Sequence, residues 1–165
     1  VVSVMHLGPI DKEKYRKFAC RHFAEANKTL EPNVIDELYK RFEGITWYMQ
    51  KTLNTLFVLP NKTQCYGLDE MEEAIQNIID TNDFTYAEKM FQLPEKQKEL
   101  LLAFCQEGKA TKITSLNFVK LLKIYSTSAV QSACKGLLDK ELITEEAGQY
   151  FVYDKFFELW LRQNY

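Results

Sequence analysis

The stretch that most constrains the fold of this chain runs from Ser126 to Tyr153. Hydroxyl side chains open it and suit a helix start, because they can accept from N–H groups that the first turn leaves unpaired. Apolar residues then recur at helical spacing and form one stripe: Ala129, Val130, Ala133, Leu137 and Leu138. The pattern predicts a helix with one buried face and one polar face.

The second half of the same stretch predicts a β-hairpin. A polar turn at 145–149 separates Leu142-Ile143 from Tyr150–Tyr153, whose residues are aromatic or β-branched, as strands prefer. Gly148 supplies the backbone freedom that a tight turn needs. A helix followed directly by a hairpin is typical of a winged helix, in which the helix can enter a major groove and the hairpin can touch the backbone beside it.

Composition narrows the class of protein. The 165 residues are enough for one domain or two small ones, and the net charge of −2 gives no overall attraction to nucleic acid or to a membrane. No apolar run approaches the roughly 20 residues of a membrane span, so no membrane partner is expected. The four cysteines are far apart and form no CxxC pair, which indicates reduced thiols and a cytoplasmic location.

The order of patterns along the chain predicts a mainly α fold, with a helical bundle followed by a winged-helix domain that has a small β-hairpin. Residues 1–10 suggest the end of a strand, and the start at Val1 without Met leads us to expect a missing N-terminal domain. Four amphipathic helices are predicted in a domain at 11–81. Residues 81–83 should end the fourth helix, a connector at 82–94 should hold a short helix at 84–90, and the winged-helix domain should occupy 95–165.

Local charge points to a nucleic-acid interface. Between Gly108 and Leu138 the chain has five lysines and no acidic residue, as phosphate contact requires. The candidate contacts are Lys112, Lys120, Lys123, Thr127, Ser128, Gln131, Ser132 and Lys135. Glu145 and Glu146 at the wing tip argue against DNA, since they would meet phosphates with like charge. An ordinary solvated face therefore stays open as the alternative.

No catalytic or metal-binding constellation is recognisable. His6 and His22 are isolated, and the carboxylates are scattered along polar helix faces. The sequence contains neither GxxxxGK[ST] nor GxGxxG, so this chain has no phosphate cradle of its own.

The segment from Glu43 to Gln50 offers a second candidate site. Thr46, Trp47 and Tyr48 follow Gly44 at a predicted helix start, and a helix N-terminus presents N–H groups that suit an anion such as a phosphate. The alternative is a capped helix whose aromatic residues fill the core.

Taken together, these segments resemble the C-terminal half of the archaeal-type AAA+ ATPases, relatives of the STAND NTPases that also occur widely in bacteria. The resemblance covers essentially the whole chain. The segments that carry it are HLGPI (6–10), DKEKYRKFA (11–19), LYKRFEGITWYMQ (38–50), FTYAEKMFQLPEKQKELLLA (84–103), SAVQSACKGLLDKELI (128–143) and YFVYDKFFELWLR (150–162).

This resemblance implies a role for each half of the chain. Residues 11–81 would be the lid of the ATPase, and the missing N-terminal core would carry the P-loop, the Walker B acid, ATP and Mg²⁺. The lid would contact nucleotide through Gly44, Thr46, Trp47, Tyr48 and Lys51. Many relatives have a sensor arginine in this region, whereas the segment Gly44–Tyr48 contains no arginine. Either Lys51 takes the part of the sensor, or the lid closes without a sensor charge.

Three functions follow as hypotheses. In the first, the lid couples nucleotide state to a winged helix that binds double-stranded DNA, and this chain alone does not hydrolyse ATP. In the second, the winged helix is a protein-interaction or autoinhibitory module. In the third, the chain is a free-standing winged-helix transcriptional regulator.

Overall fold

The computed structural model describes residues 10–111 and 126–165. Contacts divide the chain into two units, Val1–Asp80 and Thr81–Tyr165. The described residues are mainly helical with small strand pairs, as predicted. The helices of the described ranges are α1 (Lys12–Glu25), α2 (Pro32–Arg41), α3 (Thr46–Val58), α4 (Leu68–Phe91), α5 (Glu95–Glu107), α6 (Thr127–Asp139) and α7 (Lys155–Asn164). The strands there are β1 (Thr29–Leu30), β2 (Cys65–Tyr66), β3 (Ile143–Glu146) and β4 (Gln149–Val152). None of these helices is long and apolar enough to cross a membrane.

The first unit packs α1, α2, α3 and the first part of α4 around one apolar core. Asp11 caps α1 by accepting from the Lys14 backbone N–H at 2.8 Å, and Pro32 opens α2 where a missing N–H costs nothing. The fully buried residues of this core include Val34, Ile35, Leu38, Phe42, Met49, Leu56, Tyr66 and Met71. The parallel β1–β2 pair was not predicted, because strands of two residues carry no periodicity.

Helix α4 corrects the predicted break at 81–83. It continues without interruption from Leu68 to Phe91, so the short helix predicted at 84–90 is the last part of a longer one. The division between the two units falls within α4, between Asp80 and Thr81. Asp83, which was expected to end the helix, accepts instead from the indole N–H of Trp160 at 2.7 Å. This bond joins a segment of weak helix propensity to a distant residue of α7.

The second unit packs the end of α4 with α5, α6, α7 and the β3–β4 hairpin. Asp154 caps α7 by accepting from the backbone N–H groups of Phe156 and Phe157, as the sequence predicted. Its other carboxylate oxygen accepts from the Tyr86 hydroxyl at 3.3 Å. The largest buried side chains include Phe104, Phe156, Phe157 and Leu100. The helix predicted at 115–123 lies outside the described residues.

The turn of the hairpin is tighter than the predicted 145–149 turn. Glu146 pairs with Gln149, so that only Ala147 and Gly148 connect the strands. Both have positive φ, 51° and 76°, as a two-residue turn of type I′ requires. Ala147 is therefore held in a conformation that costs a residue with a Cβ about 1 kcal/mol.

Replacing Ala147 with Asn is expected to stabilise the protein by about 0.5–1 kcal/mol, because Asn-Gly is a preferred pair in this turn and tolerates positive φ. Denaturant unfolding measures the change. The control Ala24→Asn, at an exposed position inside α1, should destabilise by a few tenths of a kcal/mol, roughly the difference in helix propensity. Equal effects of the two substitutions would contradict the strained turn.

Candidate nucleic-acid interface

The outward face of α6 carries the polar residues that the sequence singled out. Ser126 caps the helix, its hydroxyl accepting from the Ala129 N–H at 3.3 Å. The exposed side chains along α6 are Thr127, Ser128, Gln131, Ser132, Lys135 and Asp139. Ser128, Gln131, Ser132, Lys135 and Asp139 follow the spacing i, i+3, i+4, i+7, i+11, which places them on one face. This face has donors and acceptors, one positive charge at Lys135 and one negative charge at Asp139, the last residue of the helix.

The inward face of α6 fixes this orientation. Val130, Ala133 and Leu137 are buried, as predicted, and so is Cys134, whereas Ala129 and Leu138 are only half-buried. The side chain of Gln97 in α5 lies against Gly136, where an added Cβ would be 2.1 Å from its nitrogen. The polar face of α6 is thus directed outward by packing against α5.

Ala110 pairs with β4 through an isolated antiparallel bridge to Tyr150 and so adds a third strand position to the hairpin. The Ala110 N–H donates to the Tyr150 carbonyl and the Tyr150 N–H donates to the Ala110 carbonyl, both at 2.9 Å. Because both backbone groups of Tyr150 point to Ala110, Tyr150 and its partner Glu145 in β3 form a non-hydrogen-bonded pair, whose side chains lie close together. The Tyr150 ring also stacks on Phe104, with centroids 6.0 Å apart. The wing is therefore anchored to α5.

Glu145 links the wing electrostatically to α6. Burial raises the pKa of the Cys134 thiol to about 11, and the negative charge of Glu145 adds to the shift. The pKa of Tyr150 is raised as well, first by burial and then by its side-chain hydrogen bond with Glu145. One of the two wing acids is thus engaged beside Tyr150 and close to Cys134.

Cys134 gives the protein an alkaline limit that can be measured. Its thiol binds its proton more tightly in the folded state, with a pKa of about 11 against an ordinary 9.0. The contribution of this thiol to the free energy of unfolding is therefore complete below pH 9 and is lost as the pH rises through about 11. The total loss amounts to roughly 2–3 kcal/mol. Denaturant unfolding of wild type and Cys134→Ala over this pH range should show that the free energy of unfolding falls less in the variant. Parallel losses would contradict the assignment.

Two lysines that the sequence reasoning did not select lie beside the wing. The ammonium groups of Lys109 and Lys155 lie 5.7 Å and 5.3 Å from the ring centroid of Phe151 in β4. Lys155 also pairs with Glu158 at 3.3 Å. Lys155 follows Phe151 by four residues, whereas Lys109, from the lysine-rich window, lies 42 residues before Phe151, and only the fold brings it to the hairpin. Lys112, Lys120 and Lys123 lie outside the described residues, so their role stays a prediction.

The second candidate site, at the start of α3, is divided between surface and core. Thr46, Trp47 and Lys51 are exposed, whereas Tyr48 is buried and stacks on Phe42 with centroids 5.4 Å apart. Gly44 is buried and has a φ of 72°, which explains the glycine at this turn. Ile45, the N-cap residue, provides no side-chain hydrogen bond to the helix.

Comparison with known proteins identifies the class of the second unit. Residues 84–163 match the family described as "Probable winged helix domain". This match agrees with the order α5, α6, β3, β4, α7 and with the third strand position at Ala110. The second unit is a winged-helix domain, as the sequence predicted. No curated protein matches the chain in sequence.

A solved structure extends the likeness to nearly the whole chain. The Walker-type ATPase PABY2304 of Pyrococcus abyssi is similar in fold, with a TM-score of 0.62, 17% sequence identity and coverage of 93% of this chain. The chain covers 42% of that ATPase, so it spans less than half of its length. At the level of fold, this agrees with the resemblance to archaeal-type ATPases.

Proposed function

We propose that this chain is the lid and winged-helix part of an archaeal-type AAA+ P-loop ATPase, and that it couples nucleotide state to the binding of double-stranded DNA. The observation that carries the proposal is the outward face of α6 within a winged-helix domain. This face is polar, and its acidic residue, Asp139, lies at the C-terminal end of the helix. The similar fold of a Walker-type ATPase supports the ATPase part. ATP and Mg²⁺ would bind the parent protein in the cytoplasm, and this chain, without a P-loop sequence, would not hydrolyse ATP by itself.

In this proposal α6 enters the major groove of the duplex. Gln131 and Ser132 reach base edges, while Thr127, Ser128 and Lys135 bond phosphates or base edges. Lys109 and Lys155 contact the backbone beside the wing, where Phe151 holds both ammonium groups.

The start of α3 would report the nucleotide state of the parent ATPase. The positive end of the α3 dipole suits a phosphate, and exposed Thr46 and Lys51 supply a hydroxyl and an ammonium group there. Trp47, 61% exposed, offers a flat apolar surface beside them. Tyr48 supports the site from the core by stacking on Phe42, with no direct contact to nucleotide.

Replacing Lys135 with Ala is expected to weaken duplex DNA binding several-fold and to lower the slope of log affinity against log salt by about 1, because one phosphate contact is lost. Fluorescence anisotropy from about 50 to about 200 mM salt measures both. Lys62→Ala, at an exposed position of the first unit, is the matched control and should change neither. Absence of duplex binding at the lowest salt, or equal slopes in both variants, would rule out the DNA-binding function.

The acidic wing favours a second function, in which the winged helix binds a protein or holds the ATPase in a resting state. Glu145 and Glu146 are both exposed, and they would suit a basic protein surface better than a phosphate backbone. Binding to the parent's ATPase core, with no duplex binding at low salt, would support this function. The free-standing regulator is the third hypothesis, and a P-loop encoded upstream of Val1 would exclude it.

A further inference from the structure

A groove on the first unit is lined by aromatic residues. It lies between α1 and α3 and encloses about 220 Å³. Tyr15, Phe18, Phe23, Leu53 and Phe57 form its apolar walls. Phe18 is 48% exposed here. A cavity of roughly 150 Å³ is large enough to bind benzene, so this groove can hold a phenyl ring.

The rim of the groove is positively charged. Lys14 and Arg21 lie four residues before and three residues after Phe18, which makes them its neighbours on the surface of α1. Helix α3 contains no acidic residue and carries the exposed Lys51. Glu25 pairs with Arg21 at 3.7 Å and offsets one of these charges.

The positive charge extends to the far end of the groove. There, the ammonium group of Lys28 lies 4.3 Å from the ring centroid of Phe57. None of the residues that line the groove is acidic. The groove therefore suits an apolar side chain from an acidic segment.

An acidic segment with exposed aromatic rings is present in the second unit. Phe84 and Phe91 of α4 are 80% and 85% exposed, and their spacing of seven residues places them on one helix face. Glu88 lies between them and Asp83 beside them, both with negative charge. The nearby Lys89 is directed elsewhere, over the rings of Tyr86 and Phe157. Large apolar side chains grouped in this way on a surface commonly mark an interface.

We propose that the groove of one copy binds the segment 83–91 of a second copy. One phenyl ring of the segment fills the cavity, and its acidic residues face Lys14, Arg21 and Lys51. The two rings are about 10 Å apart along α4, which equals the rise from Gln50 to Phe57 along the groove. Because groove and segment are different surfaces, the contact is head-to-tail and builds a ring or an open chain of copies.

The weight-average mass, measured by sedimentation equilibrium without DNA or nucleotide, tests this contact independently of the proposed function. We expect it to rise with concentration from 19.4 kDa to beyond that of a dimer. The segment variant Phe84→Ser/Phe91→Ser and the groove variant Lys14→Glu/Lys51→Glu should each stay monomeric. Their mixture should form dimers and nothing larger, because only one functional groove meets one functional segment.

Matched controls distinguish this contact from non-specific association and from misfolding. Tyr153→Ser removes an aromatic ring that is 60% exposed from the wing, and Lys40→Glu/Lys62→Glu reverses two exposed charges elsewhere on the first unit. Both controls should associate as wild type does. A wild-type protein that stays monomeric at millimolar concentration overturns the proposal and leaves the groove to a different chain. Unchanged association of the segment variant, or a mixture that stays monomeric, overturns it as well.

Discussion

Replacing Phe104 with Ala is expected to destabilise the winged-helix domain by about 3–5 kcal/mol. Phe104 is fully buried in α5, and its ring stacks on Tyr150 at an interplanar angle of 16°. The substitution removes apolar contact area and leaves a cavity between α5 and the wing. Because Tyr150 also forms both backbone hydrogen bonds to Ala110, the loss of this ring should loosen the third strand position of the hairpin.

Denaturant unfolding measures the loss of stability, and hydrogen exchange at the Ala110 and Tyr150 amides locates it. The control Phe104→Leu keeps most of the apolar volume and should cost less than about 1.5 kcal/mol. Hydrogen exchange at both amides should accelerate at a lower denaturant concentration in the alanine variant than in the leucine variant. If the two variants unfold at the same denaturant concentration, Phe104 does not anchor the wing.

Replacing Glu158 with Ala is expected to cost about 3 kcal/mol. The Glu158 carboxylate pairs with Lys155 at 3.3 Å and with Arg162 at 2.9 Å, and it is only 11% exposed. Its removal leaves the Lys155 ammonium group, 14% exposed, without this compensating charge. The cost should lie at the lower end of the range for buried pairs, because Arg162 is 46% exposed and can turn to solvent.

A second substitution separates charge from packing. In Lys155→Met/Glu158→Leu both charges are replaced by apolar groups of similar size, and the double variant should be more stable than Glu158→Ala. Denaturant unfolding of both variants and wild type gives the comparison. A double variant as unstable as the single one would mean that the cost arises from lost packing and not from an unpaired charge.

The local patterns of the sequence were sufficient for most of the winged helix. Ser126 and Asp154 cap their helices as predicted, and Gly148 lies in the hairpin turn. These features depend on residues within a few positions of one another, so that the chemistry of each segment determines them directly. The polar face of α6 follows from the same local spacing.

Contacts between distant residues account for what the sequence reasoning missed. The break predicted at 81–83 does not occur, and Asp83, within α4, accepts from Trp160, which lies 77 residues further along the chain. Lys109 reaches the ring of Phe151, 42 residues further along the chain, because Ala110 pairs with Tyr150 in the hairpin. The buried Glu158 and the exposed Phe18 likewise depend on which helices become neighbours. No local periodicity encodes such pairs.

The sequence alone therefore determined the class of the fold, because the winged helix is a succession of locally encoded elements with caps and turns. It also determined which residues of α6 are polar, since a helical period assigns them to one face. Only the tertiary structure decided that α4 continues past 81, that Lys109 and Lys155 share one ring, and that a basic groove opens between α1 and α3. These features arise where segments far apart in the chain meet, and their geometry depends on packing rather than on sequence spacing.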